Sequence, residues 1–525
     1  MMLPGHKGFA LYTCWTAGLF GGKLMSLIGQ PPLLGMLIAG IILRNIGSPS
    51  LVDSLPDSWS AAVRVFGLSV ILMRSGLELD LGAIKRIGPA CVRLTVLPGC
   101  SEACMVGLSA AIVFGMPFAL ALALGFILAA VSPAVVVGGM FDLQRRHYGI
   151  AKGIPSLVVA AASFDDVVAI TGYSLAIGFA ITQEGANLLW EAMHGPINVA
   201  LGMALGFSGG NFLALTTLWN TSMLRTVVTA LVGLTFAFAC NRLHFAGAGA
   251  LASLVTTCVS ARQWGGLQST SEDGHDNPKH WAHHVETDLA VVWSFVAQPL
   301  LFCVIGAALS FAELDAGTIP MSIAVVILGV LVRCPVAMLA TCGTPLDKLE
   351  QTFVGLAWIP KATVQAALGG IPLDLVRTTL DPAQEPERYA QYEKWGLQIL
   401  TTAVFSILIT APIGLLVIQN LGHRWLHYDG PTHAEGATKM EPDANVIGAN
   451  LSGLDHDTGE SLLKDLPTIC DEVVDMDGVD LTVLDSPREE EAREHRRPQQ
   501  RDGTRMHKVA SALFCGTCIQ ASGPA

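Results

Sequence analysis

The sequence predicts an all-α protein that crosses a membrane many times. Only 14% of its 525 residues are charged, whereas about 25% is usual for soluble domains, and its mean hydropathy is +0.51. From residue 8 to residue 420 one apolar segment follows another, with short polar loops between them. An ordinary soluble enzyme is therefore excluded. The chain also lacks the basic stripe that nucleic-acid binding needs, so no nucleic-acid partner is expected.

A membrane helix needs about 20 mostly apolar residues, and this length predicts about 13 transmembrane helices. Pro and Gly, which mark turns and loops, fall at many of the boundaries. The predicted spans are 8–28, 32–48, 60–79, 89–114, 118–141, 153–181, 194–215, 222–240, 245–264, 287–311, 319–343, 350–370 and 396–420. Residues 1–420 are thus predicted to form one transmembrane domain.

Residues 421–525 are predicted to form an acidic, mostly disordered tail. They contain 19 acidic and 10 basic residues and so account for most of the net charge of −12. Such a composition cannot bury enough apolar surface to fold. Lys and Arg favour cytoplasmic loops, and here they are concentrated in one of the two sets of alternate loops. This distribution predicts a cytoplasmic tail and an N-terminus outside. The basic loop residues behind this prediction include Lys23, Lys85, Arg86, Arg145, Arg146, Lys152, Arg262, Lys279, Lys348 and Arg424.

Among the ionisable residues inside predicted spans five stand out, namely Glu102, Asp165, Asp166, Arg333 and Lys361. Each costs about 2.5–3.5 kcal/mol at a helix centre, so such residues usually serve a site. Asp165 and Asp166 are adjacent and point about 100° apart on a helix, so at least one must meet water, a cation or a basic partner. Such a pair can exchange protons for a hard cation such as Na+ or Li+. The alternative is a structural pair bonded to Arg333 and Lys361.

Among the prolines within apolar segments two lie beside polar residues, at Ser132-Pro133 and at Pro360-Lys361. A Pro inside a helix removes a backbone donor and obstructs the preceding turn, so both places are candidates for broken helices. Matched interruptions in the two halves of a transporter point to its binding site. Simple kinks are the alternative, since Pro is tolerated in membrane helices.

The chain resembles the cation/proton antiporter superfamily, and within it the animal NHA-type sodium/proton exchangers. The resemblance runs from about Gly21 to Leu421 and rests on strings that include ILMRSGLELD, AVSPAVVVGGM, KGIPSLVVAAASFDDVVAITGYS and AWIPKATVQAALG. It implies a NhaA-like fold of two inverted repeats, with interleaved dimerisation and core subdomains and two crossing, partly unwound helices. It also implies a homodimer.

The resemblance assigns expected roles to individual residues. Asp165 and Asp166 match the ion-binding acid pair, with Asp166 the favoured direct ligand and Ser132 on the crossing helix beside them. Arg333 matches a position that is a lysine paired with the first aspartate in many bacterial relatives. Glu102 matches an acid of the animal branch that is expected to pair with that arginine.

Two departures from the family pattern modify these expectations. Close relatives carry a further N-terminal helix that assists dimerisation, and this chain begins after it. In the string CVIGAALSF the chain has Ala308 where relatives carry an acid. Any pH regulation that depends on that acid is expected to be absent.

The sequence thus predicts a secondary active antiporter that exchanges Na+ or Li+ for H+ by alternating access and contributes to pH homeostasis. The transported ions compete for the aspartates, and no cofactor is implied. The expected location is the plasma membrane or a mitochondrial or endosomal membrane, in contact with lipid, and the tail partner is unknown. A K+/H+ antiporter of the same fold is the alternative. An intramembrane aspartyl protease, which needs its aspartates on separate helices, and a channel are rivals from other classes.

The stoichiometry depends on the partner of Arg333. If Arg333 pairs with Glu102, both aspartates can carry protons, and two protons exchange for one Na+. If Arg333 engages Asp165 instead, a single proton turns over.

Overall fold

The structure is a computed structural model that describes residues 7–46, 52–78, 88–181, 188–215, 221–243, 245–266, 279–315, 317–380 and 382–430. These residues are almost entirely helical, which confirms the all-α class. The helices are α1 (Lys7–Leu27), α2 (Pro32–Asn45), α3 (Asp57–Glu78), α4 (Pro89–Phe114), α5 (Phe118–Ala129), α6 (Pro133–Arg145), α7 (Ile154–Ile181), α8 (Leu188–Ala214), α9 (Ser222–Arg242), α10 (Ala246–Gly266), α11 (Lys279–Val292), α12 (Gln298–Ala307), α13 (Thr318–Ala340), α14 (Lys348–Ala357), α15 (Thr363–Leu368), α16 (Ile371–Thr379) and α17 (Pro386–Trp425).

Short helical turns connect some of these helices. A π-helical turn, Trp293–Ala297, joins α11 to α12, and a 3-10 turn, Phe311–Glu313, follows α12. The last helix continues to Trp425, five residues beyond the predicted end of the transmembrane domain. The predicted tail from residue 431 onward lies outside the described residues, so the domain boundary stays a prediction.

Every predicted span coincides with a described helix or a pair of helices. In the described part of the chain, nine helices are long and apolar enough to cross a membrane. The count of about 13 spans therefore stays a prediction. Helix α2, with 14 residues, shows one reason for the difference, because it is shorter than a bilayer-spanning helix.

Two helical segments are interrupted and cross each other. Helix α5 ends at Ala129 and α6 begins at Pro133, while α14 ends at Ala357 and α15 begins at Thr363. The N–H of Ser132, in the first break, donates a hydrogen bond of 2.8 Å to the carbonyl of Pro360 in the second. The prediction of two crossing broken helices is thus confirmed. A continuous helix precedes each broken one, α4 before α5 and α13 before α14, as expected for an internal repeat.

The helices pack as two bundles. The first bundle contains α1–α3 and α8–α12, and the second contains α4–α7 and α13–α17. The bundles meet along a seam where α3 packs on α15 and α16, α7 on α8 and α10, and α2 on α17. Both broken helices belong to the second bundle, so they share one packing unit.

A polar cluster at the edge of the spans ties the loop after α6 to the start of α14. Lys152 donates hydrogen bonds to Glu350 at 2.7 Å and to Asp347 at 3.0 Å. The hydrogen bond to Glu350, followed by that to Asp347, raises the pKa of Lys152 above its ordinary value. The Glu350 carboxylate also accepts a bond from the N–H of Asp347 at 2.8 Å. These contacts hold the outer ends of the two broken helices together.

Helices α2 and α12 of the first bundle approach closely at Gly306. A Cβ at this position would collide with the backbone carbonyl of Leu37, so neither helix could keep its place. We expect Gly306→Ala to lower the free energy of unfolding by about 1–3 kcal/mol, the usual cost of overpacking. Thermal unfolding of the purified protein in detergent measures this. Gly138→Ala on α6 is the matched control, because nothing lies within 4 Å of a Cβ there; equal melting temperatures for the two variants would contradict the close approach.

Candidate functional site

Arg333 of α13 is the centre of a buried network in the second bundle. Its guanidinium donates to Glu102 of α4 at 2.5 Å and to Asp165 of α7 at 2.9 Å. It also donates to the backbone carbonyl of Ala129, at the end of α5. Arg333 and Glu102 are completely buried. One arginine thus joins three helices, α4, α7 and α13, to the end of a broken helix.

Lys361 extends this network from the second break. Its ammonium group lies 2.7 Å from a Glu102 carboxylate oxygen and donates to the carbonyl of Leu128. Its backbone N–H donates to the hydroxyl of Thr410 on α17 at 3.0 Å. Glu102 therefore holds both basic groups, and Lys361 is fixed at its backbone and at its side chain.

The two aspartates have different surroundings. Asp165 is held by Arg333 and by the N–H of Val131, which donates to the same carboxylate oxygen at 2.7 Å. Asp166 is as deeply buried, at 1% exposure, yet no basic side chain of the described residues forms an ion pair with it. One carboxylate oxygen of each aspartate and the Ser132 hydroxyl have no hydrogen bond with the described residues. Oxygens without donors can accept a proton or bind a hard cation.

The structure brings the predicted site residues together at the crossing. Pro133 is the first residue of α6, and Pro360 lies in the second break. Glu102, Arg333, Lys361 and Asp165 form one hydrogen-bonded network, and Asp166 adjoins it along α7. The sequence left two partners of Arg333 open, and the structure contains both ion pairs at once.

The sequence reasoning missed two polar residues at the crossing. Gln365 of α15 donates to the carbonyls of Ile127 and Ala130, both at 2.9 Å, and Thr410 binds the backbone of Lys361. Gln365 carried a signal, since it is a polar residue four positions after Lys361 in an apolar segment. The cost of charge in a membrane does not identify it, because its amide is not ionisable. Thr410 carried none, because threonine is common in membrane helices.

The arrangement supplies three carboxyl groups but only two basic groups. In the described part of the chain, no group of three His, Cys, Asp or Glu side chains could hold a resident metal ion. The uncompensated carboxyl group is Asp166. A buried carboxylate without a partner is costly, so the site suits an exchangeable proton or cation.

The family comparison gives an independent result. The family model described as "Sodium/hydrogen exchanger, transmembrane" matches residues 16–421. The chain belongs to the sodium/hydrogen exchanger family. The exchanger is 37% identical over 454 residues to sodium/hydrogen exchanger 9B2 of Homo sapiens, covering 84% of this chain and 80% of the relative. It is 34% identical over 442 residues to sodium/hydrogen exchanger 9B1 of Homo sapiens, covering 81% of this chain and 80% of the relative.

A solved structure shows the same fold. The sodium proton antiporter MjNhaP1 from Methanocaldococcus jannaschii, at pH 8, matches with a TM-score of 0.59 and 16% identity over 79% of this chain and 98% of that chain. Membership of the family and the apolar spans make the exchanger a multi-span membrane transporter and not an enzyme. The family supports Na+/H+ exchange as its activity, whereas the solved structure supports the fold alone. The predictions of an antiporter and of its fold are confirmed.

The first prediction for the site concerns the pairing of Glu102 with Lys361. Removing one partner of a buried ion pair costs about 3–5 kcal/mol, whereas replacing the pair by apolar residues is often neutral. We expect Glu102→Leu to lower the free energy of unfolding by about this amount, and the double variant with Lys361→Met to recover part of it. Thermal unfolding in detergent measures both. Additive losses in the double variant would mean that the two groups do not compensate each other.

Proposed function

We propose that the chain exchanges Na+ or Li+ for H+ at Asp165 and Asp166, by alternating access and by competition for the carboxylates. The observation that carries the proposal is the environment of Asp166, which is buried, adjoins a second acid and has no basic partner among the described residues. An isolated ionised carboxylate is costly in such a place. Asp166 must therefore hold either a proton or a cation, and these two states are the two loads of an antiporter.

Asp165 has a different role under this proposal. Arg333 and the Val131 N–H stabilise its ionised form through one oxygen, which leaves the other oxygen free. Asp165 thus offers a fixed negative ligand beside Asp166, and the Ser132 hydroxyl offers a neutral one. Because Arg333 engages Asp165 as well as Glu102, we propose that one proton turns over for each Na+, which makes the exchange electroneutral.

Alternating access requires the site to open to each side of the membrane in turn. In this structure both aspartates are closed to solvent, with 1% exposure each. The site and its compensating charges lie in the second bundle, so movement of that bundle along the seam would carry the ion with it. A ligand shifts two access states only through different affinities for them, so the bundle should move when Asp166 is loaded and stay in place when it is empty.

Several expectations from the family resemblance belong to the same proposal. We propose that the exchanger is a homodimer in a plasma membrane or an organelle membrane, with its tail on the cytoplasmic side. The positively charged loops support the orientation. Cross-linking in native membranes and protease protection of the tail test these points separately.

The aspartate site is tested by Asp166→Asn in proteoliposomes. We expect the variant to lose Na+- and Li+-driven proton flux, because asparagine can neither release a proton nor compensate a cation. Asp142→Asn on α6 is the matched control, since this carboxylate is exposed and pairs only with Arg146 one turn later among the described residues. Full flux in Asp166→Asn would place the ion site elsewhere.

The same proteoliposomes test the stoichiometry. A net charge moving across the membrane gains about 2.3 kcal/mol per 100 mV, so an electrogenic exchanger responds to an imposed potential. We expect the wild-type rate to be independent of potential. A strong dependence would mean that two protons exchange for one Na+ and that Arg333 releases Asp165 during the cycle.

The seam provides a second test of alternating access. Arg64 of α3 donates to Asp374 of α16, and Arg377 of α16 lies 3.6 Å from Asp57 at the start of α3. Arg64 is buried and Asp374 is largely covered. These ion pairs join the first bundle to the second at one end of the seam, so movement between the bundles must break and reform them.

We expect Asp374→Arg to slow exchange by about tenfold, because two arginines that face each other oppose closure of the seam. Adding Arg64→Asp restores an attractive pair, and we expect the double variant to recover most of the rate. Initial rates of Na+-driven proton flux measure this. Arg146→Asp, which changes an exposed pair within the second bundle, should have little effect. A double variant as slow as Asp374→Arg would show that this pair does not govern the movement.

A further inference from the structure

The end of α5 is unusual because side chains bind its last carbonyl groups. The final carbonyls of a helix have no partner within the helix. Here the carbonyl of Leu128 accepts from Lys361 and that of Ala129 accepts from Arg333. The carbonyls on either side, those of Ile127 and Ala130, are further backbone acceptors at the end of α5.

Gln365 occupies both of these acceptors. Its side-chain nitrogen lies 2.9 Å from the carbonyl oxygen of Ile127 and 2.9 Å from that of Ala130. Only the NH2 end of an amide can donate to two carbonyls, so the partners fix the orientation of the amide. Gln365 is fully buried. Four successive carbonyls, from Ile127 to Ala130, are therefore bound by donors of the protein.

The side-chain oxygens left without a hydrogen bond near the crossing are mostly carboxylate and hydroxyl oxygens. Among the described residues they include one carboxylate oxygen each of Asp165 and Asp166, the hydroxyl oxygens of Ser132 and Thr363, and the amide oxygen of Gln365 itself. A cation that binds here can meet carboxylates, hydroxyls and this one amide oxygen, while the backbone carbonyls at the end of α5 are occupied. The ligands available to the ion are thus few and include two groups that can carry negative charge.

We propose that Gln365 is a positioning residue that sets the cation selectivity of the site by withholding the Ile127 and Ala130 carbonyls from the ion. This inference rests on the proposed ion site at Asp166. A few charged oxygens favour small, hard cations such as Li+ and Na+. Selectivity for K+ over Na+ depends on the number and field strength of the carbonyl groups that replace its water. Releasing two carbonyls would therefore move the preference towards K+.

The test replaces Gln365 by methionine, which keeps the length of the side chain and removes its NH2 group. Purified full-length protein is reconstituted in liposomes, and proton flux is measured against the concentrations of LiCl, NaCl and KCl. We expect the ratio of the half-saturating K+ concentration to the half-saturating Na+ concentration to fall by about tenfold. The maximal rate with Na+ should stay within about threefold of wild type, because the aspartates remain.

Gln398→Met is the matched control, since Gln398 is a buried glutamine of α17 and has no hydrogen bond to the end of α5. Gln365→Asn is the second variant, in case Gln365→Met does not fold. The shorter asparagine side chain keeps an amide but cannot reach the carbonyls of both Ile127 and Ala130. The K+ to Na+ ratio of this variant should therefore shift in the same direction by less. Cation-dependent shifts of the melting temperature in detergent provide a second readout of the same affinities.

Two results would overturn the inference. An unchanged K+ to Na+ ratio with a lower maximal rate would give Gln365 a structural role alone. Equal losses of affinity for all three cations would make Gln365 a direct ligand through its own oxygen. Asp166→Asn, measured in parallel, separates this inference from the function on which it rests. If that variant loses flux while Gln365→Met keeps wild-type selectivity, the aspartate site stands and the positioning role fails.

Discussion

The constraint on which this structure depends is the burial of broken helix ends in an apolar protein. A helix interrupted within a membrane exposes carbonyls at one end and N–H groups at the other, and no water is available in the bilayer core to bind them. The chain meets this need with the guanidinium of Arg333, the ammonium of Lys361 and the amide of Gln365 at the end of α5. Basic groups also suit the negative end of a helix dipole. Arg333 and Lys361 are costly to bury in a membrane, and their presence is explained first by the backbone carbonyls to which they donate.

Basic side chains buried for this purpose require carboxylates as partners. The number of carboxylates then decides whether the site can bind a proton or a transported cation. Glu102 compensates Lys361 and shares Arg333 with Asp165. After these pairings Asp166 is the remaining acid, with no basic partner among the described residues. A fully compensated network would be inert, because neither a proton nor a cation would gain by binding. The proposed transport site therefore arises from an imbalance of one carboxyl group in a cluster that otherwise serves the fold.

The sequence predicted the composition of the site better than its connections. The high cost of charge in a membrane identified Glu102, Asp165, Asp166, Arg333 and Lys361, and two prolines located the breaks within a few residues. The pairing of Arg333 with two acids could not be predicted, because Glu102 and Asp165 lie far from it in the sequence and either could be its partner.

Other contacts carried no signal that a single sequence could show. Arg64 and Asp374 lie at the margins of apolar segments, where a charge is ordinarily solvated, and only packing of α3 against α16 buries their ion pair. The buried pair of Arg74 and Glu286 in the first bundle was missed as well, although Arg74 lies inside the predicted span 60–79. Periodicity and composition locate helices, but the contacts between distant helices depend on the tertiary fold.

The distribution of ion pairs between the two bundles bears on how transport could proceed at a low energetic cost. Separating a buried ion pair is expensive because each charge is left without water or a partner. The pairs of Arg333 and Lys361 lie wholly within the second bundle, so a movement of that bundle as a unit leaves them intact. The pairs of Arg64 and Arg377 cross the seam, and at least one partner of each is partly exposed, so water can replace the lost contact. Under the proposed mechanism, the deeply buried pairs preserve the site while the partly hydrated ones exchange during the movement.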